Sequence, residues 1–237
     1  DYILHLADTT LILSQRNSEW CGHGPVLEQD IAITNISLDL LGQSRSFYQY
    51  AASLIGGEAT EDSLAYLRKE REFKNLLLVE QANGDWGQTI LRQYLYSQFQ
   101  YPLFEQLQNS KDEQIAAIAA KSIKETAYHV RWSSEWVIRL GDGTEESRNR
   151  MINAVDELWR YTGEMFLPAE YETLVDVSLL EKKWLDKVRE IFNEATLTVP
   201  ENTFMQSGGK EGKHTEQLGF ILTELQYMQR TYPGAEW

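Results

Sequence analysis

The chain holds one cysteine, Cys21, so no intramolecular disulfide can form and stability must come from a core. A lone thiol also fits a reducing compartment, and a cytoplasmic location is expected. Positive charge is scarce: 22 Lys and Arg stand against 36 Asp and Glu, a formal net charge of −14. Such a surface repels nucleic acid and anionic bilayers, so neither is expected as a partner. No apolar run nears the roughly 18 to 20 residues that cross a membrane, and no signal-peptide pattern opens the chain. The first residue is Asp1 rather than Met, which leaves room for a short upstream segment. No stretch alternates apolar and polar residues with period two over a useful length, which argues against sheet.

What the sequence does contain is helical periodicity. With 237 residues, about two-fifths of them apolar, it can bury a core as one domain spanning 1–237. Residues 2–16 read as a first helix. Core helices are expected at about 27–55, 86–109, 111–140 and 144–167, with a C-terminal extension over about 178–237. Start and stop signals frame them: Thr60 and Asp85 as N-caps, capping boxes at Ser110/Glu113 and Ser178/Glu181, and glycines at 56, 57, 141 and 143. Pro102 should kink or break the third long helix, because it removes a backbone donor. The run Leu76 to Val79 fits a helix end or a buried strand equally. Residues 196–213, rich in glycine, read as a long loop before a last helix from about His214 to Arg230. The fold class is all-α, an antiparallel bundle.

The helix over 111–140 places Ser122, Glu125 and His129 on its apolar stripe, where unpartnered polar groups would cost several kcal/mol. Laid over residues 31–58 at an offset of 86, it sets Asp39 on Glu125, Gln43 on His129 and Arg45 on Arg131. A repeated helical pair is the plan of the ferritin-like bundle, whose di-iron site takes Glu from two helices and Glu-x-x-His from the other two. Those slots are largely empty. The second helix reads Leu40-Leu41-Gly42-Gln43, the later one Thr126-Ala127-Tyr128-His129, and residues 86–104 contain no Asp, Glu or His. A full di-iron site is therefore not expected. Asp39, Gln43, Glu125 and His129, with Arg45 and Arg131, read as a polar network in place of metal.

The other histidines carry weaker signals. His5 beside Asp8 fits an interhelical hydrogen bond. His23 in Trp-Cys-Gly-His-Gly-Pro fits a structural turn, and Cys21 with His23 is half a zinc site without its second half. Glu211 to His214 spells Glu-x-x-His, but Gly208, Gly209 and Gly212 disfavour the helix that gives this spacing meaning. Arg68, Lys69, Arg71 and Lys74 form a basic cluster that suits either an anionic ligand such as a phosphate-bearing coenzyme or a solvated helix face. Trp159, Tyr161, Tyr171, Trp184, Tyr227, Tyr232 and Trp237 exceed the needs of a small bundle and read as a partner surface.

The blocks LSQRNSEWCGHGP, LDLLGQSR, FKNLLLVEQANG, AAKSIKETAYH and GGKEGKHTEQLGFILTELQYMQR, in this order, resemble the C subunits of bacterial phenylacetyl-CoA ring epoxidases. The resemblance runs to the Pro-Gly-x-x-Trp terminus and is weakest over about 167–183. It implies a ferritin-like, metal-free structural subunit that pairs with a homologous A subunit bearing the di-iron centre. Electrons come from NADPH through a separate reductase, and the complex epoxidises phenylacetyl-CoA in aerobic phenylacetate degradation. Self-association within a larger complex is compatible with it. The resemblance also implies a shared acyl-CoA site at Glu72, Phe73, Lys74 and Asn75, with Arg71 beside them; Lys74 stands where the family has another polar residue. No catalytic residue is expected in this chain. The rival reading is an autonomous ferritin-like metalloenzyme with a reduced site of Asp8, Asp39, Glu125 and His129. A general all-α adaptor would leave the family blocks unexplained.

Overall fold

A computed structural model describes residues 1–235; Trp237 and the end of the Pro-Gly-x-x-Trp motif lie outside the described residues. Among the described residues the secondary structure is entirely helical, as the periodicity predicts, and the class is that of ferritin-like helical bundles. The chain forms two compact units, Asp1–Ala82 with the segment from Gly208 onward, and Asn83–Ser207.

In the first unit, helix α1 (Tyr2–Ser18) packs along α2 (Leu27–Ile55). Hydroxyls draw the two backbones together: Ser14 Oγ donates to the Ser37 carbonyl at 2.7 Å and Ser44 Oγ to the Ala7 carbonyl at 3.0 Å. Leu6, Leu11, Ile12 and Leu13 meet Ile33, Ile36, Leu40 and Phe47 in the core. A short helix α3 (Glu61–Tyr66) follows, started by Thr60 as expected. The ambiguous apolar run resolves into a single helical turn, α4 (Leu77–Glu80). After the second unit the chain returns as α9 (Glu216–Leu225) and α10 (Tyr227–Thr231). The expected continuous helix over 214–230 breaks at Gln226, whose amide nitrogen turns inward to the carbonyls of Ala65 and Arg68.

The second unit pairs α5 (Trp86–Leu107) with α6 (Glu113–Gly141), and packs α7 (Glu145–Leu158) and α8 (Glu181–Glu194) against them. Asp85 caps α5 as expected, and the helix runs through Pro102 without a break. Other expectations change. Asp112, not Ser110, caps α6, its carboxylate accepting from the amides of Gln114 and Ile115; Ser110 Oγ accepts from the Asp112 amide instead. Asp176 caps a 3₁₀ turn over Val177–Leu180 ahead of α8, in place of a Ser178/Glu181 box. The helix expected over 144–167 ends at Leu158 and continues as two 3₁₀ turns, where the Thr162 hydroxyl bonds back to the Trp159 carbonyl and Gly163 lies against Met205. Trp159 and Trp184, read as surface aromatics, are core: their rings pack with centroids 5.6 Å apart, and Phe166 and Phe192 surround them. Tyr227 and Tyr232 do face solvent.

Candidate functional site

The basic cluster and the segment after it do not form an open helix face. Arg68 turns inward and is buried. Its guanidinium pairs with the Asp8 carboxylate through both terminal nitrogens, reaches the Tyr48 hydroxyl at 3.1 Å and the Glu72 carbonyl at 2.8 Å, and lies 4.2 Å over the Phe73 ring. Burial alone would lower the guanidinium, but Asp8 and Tyr48 more than offset it and hold Arg68 above its ordinary value. Tyr48 is pushed well above the usual phenol range, first by burial and then by the adjacent Asp8 charge. Asp8 also accepts from the Lys74 amide at 2.8 Å, so both carboxylate oxygens are committed within the protein.

After a 3₁₀ turn at Glu70–Glu72, the chain extends from Phe73 to Leu76 as a strap across α1. His5 Nδ1 donates to the Lys74 carbonyl at 2.7 Å, and the Leu76 amide donates to Thr9 Oγ1 at 3.4 Å. The C-terminal segment covers the other side. A methyl group at Gly209 would overlap the Asn75 carbonyl, and one at Gly212, whose φ is +78°, would overlap the Arg71 carbonyl. Gly209 permits close approach to the strap and Gly212 to the turn before it.

The covering segment is fastened by Glu80, a fully buried carboxylate with four donors. Thr215 supplies its amide at 2.7 Å and hydroxyl at 2.8 Å to Oε1; His214 Nδ1 and Asn75 Nδ2 reach Oε2 at 2.9 and 2.8 Å. The other ring nitrogen of His214 faces the Phe73 carbonyl at 2.9 Å, and a carbonyl only accepts, so Nε2 carries a proton. Glu211 is exposed and pairs with Lys213 at 2.7 Å, so the formal Glu-x-x-His of 211–214 divides between solvent and core.

Of the expected acyl-CoA residues, Phe73 and Asn75 are therefore buried structural members of the strap. Glu72 caps its own turn through the Lys69 amide at 2.7 Å, and the half-buried Lys74 ammonium lies 3.8 Å from the Asp1 carboxylate. Arg71 and Glu72 are exposed. Arg68 leaves the basic surface altogether.

The polar-network residues divide between the two units. On α2, Gln43 is buried and Asp39 half-buried; on α6, His129 is buried and Glu125 half-buried. Arg45 and Arg131 project outward, Arg45 to Glu61 at 2.9 Å and Arg131 over the Tyr128 ring at 5.8 Å, so neither belongs to a buried network. Within the second unit, α5 and α6 carry a buried polar stripe of which periodicity singled out only Ser122 and His129: Gln93, Ser97 and Gln100 on one helix, Ser122, Thr126 and Ser133 with His129 on the other. Its hydroxyls are absorbed locally, Ser97 Oγ to the Gln93 carbonyl at 2.7 Å and Ser133 Oγ to the His129 carbonyl at 2.6 Å. Amides and hydroxyls are neutral, whereas a di-iron centre needs several carboxylates and imidazoles around its cations. The donor set does not fit that centre. Among the described residues no three of His, Cys, Asp and Glu gather where they could hold a metal ion.

The helical architecture, without strands among the described residues, defines an all-helical protein of the ferritin-like class. Comparison with known sequences then gives the family. The profile described as "Phenylacetic acid catabolic protein" matches residues 1–237, and the chain belongs to that family. It is 50% identical over 243 residues, covering 100% of this chain and 98% of the relative, to the C subunit of the 1,2-phenylacetyl-CoA epoxidase of Escherichia coli (strain K12). No helix among the described residues is long and apolar enough to cross a membrane.

Proposed function

We propose that this chain is a subunit of a phenylacetyl-CoA epoxidase that pairs with and stabilises the di-iron catalytic A subunit while carrying no redox chemistry itself. The observation that carries this reading is the buried stripe of α5 and α6, where amides and hydroxyls stand at helical spacing and His129 is the only imidazole. The full-length similarity to a C subunit supports the assignment to the complex. In this reading the A subunit supplies the iron, and a separate reductase delivers electrons from NADPH.

The test is the metal content of the chain purified alone from iron-replete medium. Near-zero iron with a folded helical spectrum is the expected result; about two irons per chain, the stoichiometry of a ferritin-like di-iron site, lost on His129→Ala, would refute the reading. Acyl-CoA contact belongs to the same proposal, narrowed by the geometry to Arg71, Glu72 and Lys74 side chains, with Phe73 and Asn75 shaping the strap beneath. Arg71→Glu combined with Lys74→Glu is expected to raise the KM of the assembled enzyme for its acyl-CoA several-fold with kcat retained, as loss of charge-assisted contacts to a CoA phosphate requires. Unchanged kinetics would remove this chain from the substrate site.

A further inference from the structure

The outer face of α2 carries an apolar stripe that the rest of the described chain leaves uncovered. Leu27 is 72% exposed, Ile31 52%, Leu38 59% and Leu41 43%, and with Thr34 and Arg45 they step by 4, 3, 4, 3 and 4 residues. That is the spacing of a coiled-coil seam, the pattern that another α-helix reads along its length. At 1.5 Å per residue the seam spans about 27 Å, long enough for five turns of a partner helix.

Two further features mark the same face. Gly42 lies inside the 29-residue α2, where glycine weakens a helix, yet a Cβ there would meet no atom within 4 Å outside its own helical turn. Nothing among the described residues requires this glycine; a backbone approaching from outside would. Beside Leu41 opens a cavity of about 210 Å³, floored by Leu11, Tyr48 and Ala65 and rimmed by the Arg45–Glu61 ion pair. It is sized for one large apolar side chain, the usual anchor of a protein interface.

We infer that the seam from Leu27 to Arg45 is the docking face for one amphipathic helix of the partner catalytic subunit, which sets its backbone against Gly42 and a large apolar side chain in the cavity beside Leu41. The inference rests on the subunit role proposed above. Charge selects the occupant. Acidic Glu28, Asp39 and Asp62 border the seam and cavity, and a second copy of a chain with net charge −14 would bring the same carboxylates against them. The fitting partner helix has apolar residues at heptad spacing and Lys or Arg on its flanks.

The full-length chain is co-expressed with the tagged catalytic subunit of the same epoxidase, and the amount retained on the tag is measured. Wild type and a control, Leu179→Glu, which changes a still more exposed leucine in the second unit, are expected to be retained at similar levels. Leu38→Glu with Leu41→Glu is expected to lower retention at least tenfold with an unchanged helical spectrum. Gly42→Leu, which has open space around it, is expected to keep or raise the Tm of the chain alone and still lose retention. Retention of both seam variants at the wild-type level would overturn the docking face and leave the subunit role intact. Failure of wild type to be retained would overturn the subunit role and the docking face together. A wild-type homodimer that the double variant dissociates would make a second copy the occupant and refute the partner assigned here.

Discussion

Asp8 shows how one residue can hold several elements. Its oxygens accept from Arg68, Tyr48 and the Lys74 amide, tying α1 to α2 and to the strap. Asp8→Asn leaves the Arg68 guanidinium buried without its counter-charge, a loss of about 3 to 5 kcal/mol expected for such sites and measurable by urea denaturation. The phenols add a pH dependence. Burial raises Tyr94 and Tyr96, and burial with the Asp8 charge raises Tyr48, above the ordinary value near 10. Above that pH the folded chain holds protons that the unfolded chain has released, so the phenols' contribution to stability is complete below about pH 10 and is lost as pH rises beyond it. Tyr48→Phe is expected to make that alkaline fall less steep in Tm measurements across the range. Little of this was legible in the sequence. Asp8 and Arg68 are 60 residues apart, and Glu80 and His214 are 134 apart, so no local spacing links them. The basic cluster gave no sign that its first arginine would turn inward.

At the scale of elements, periodicity was a good guide wherever one face of a helix is buried, which is why the bounds of α2, α5 and α6 lie within a few residues of those expected. It failed where the chain is held by other parts of the fold. The 3₁₀ turns after α7 follow from Thr162 bonding back to Trp159 and from Met205 packed on Gly163, partners that helical spacing does not encode. Caps were misassigned where two nearby residues could serve, as with Ser110 and Asp112. Two helical glycines give opposite predictions. Gly42→Ala has open space and is expected to stabilise the isolated chain by about 0.5 to 1 kcal/mol. Gly141→Ala places a methyl on the Ala195 carbonyl at the end of α6 and is expected to destabilise by about 1 to 3 kcal/mol, as overpacking does. Paired denaturation curves for the two variants check both signs.

For the whole molecule, the distinguishing feature is that the first unit is assembled from both ends of the chain. Residues 208–235 are far from a loose extension: they cover the strap, supply three of the four donors to Glu80, and hold the end of α3 through Gln226. A chain ending at Ser207 should therefore lose the fold of its first unit while the aromatic core around Trp159 and Trp184 persists, seen as rapid proteolysis confined to residues 1–82. The same arrangement governs biosynthesis. As the polypeptide leaves the ribosome, the compact unit of residues 83–207 is fully translated before the first unit is, because Glu80 waits for His214 and Thr215, the last of its donors to be translated. During that interval a nascent chain shows an unlatched strap and a carboxylate it cannot yet bury. Chaperones would meet it there, and a prematurely terminated product would be recognised by its unfinished N-terminal half.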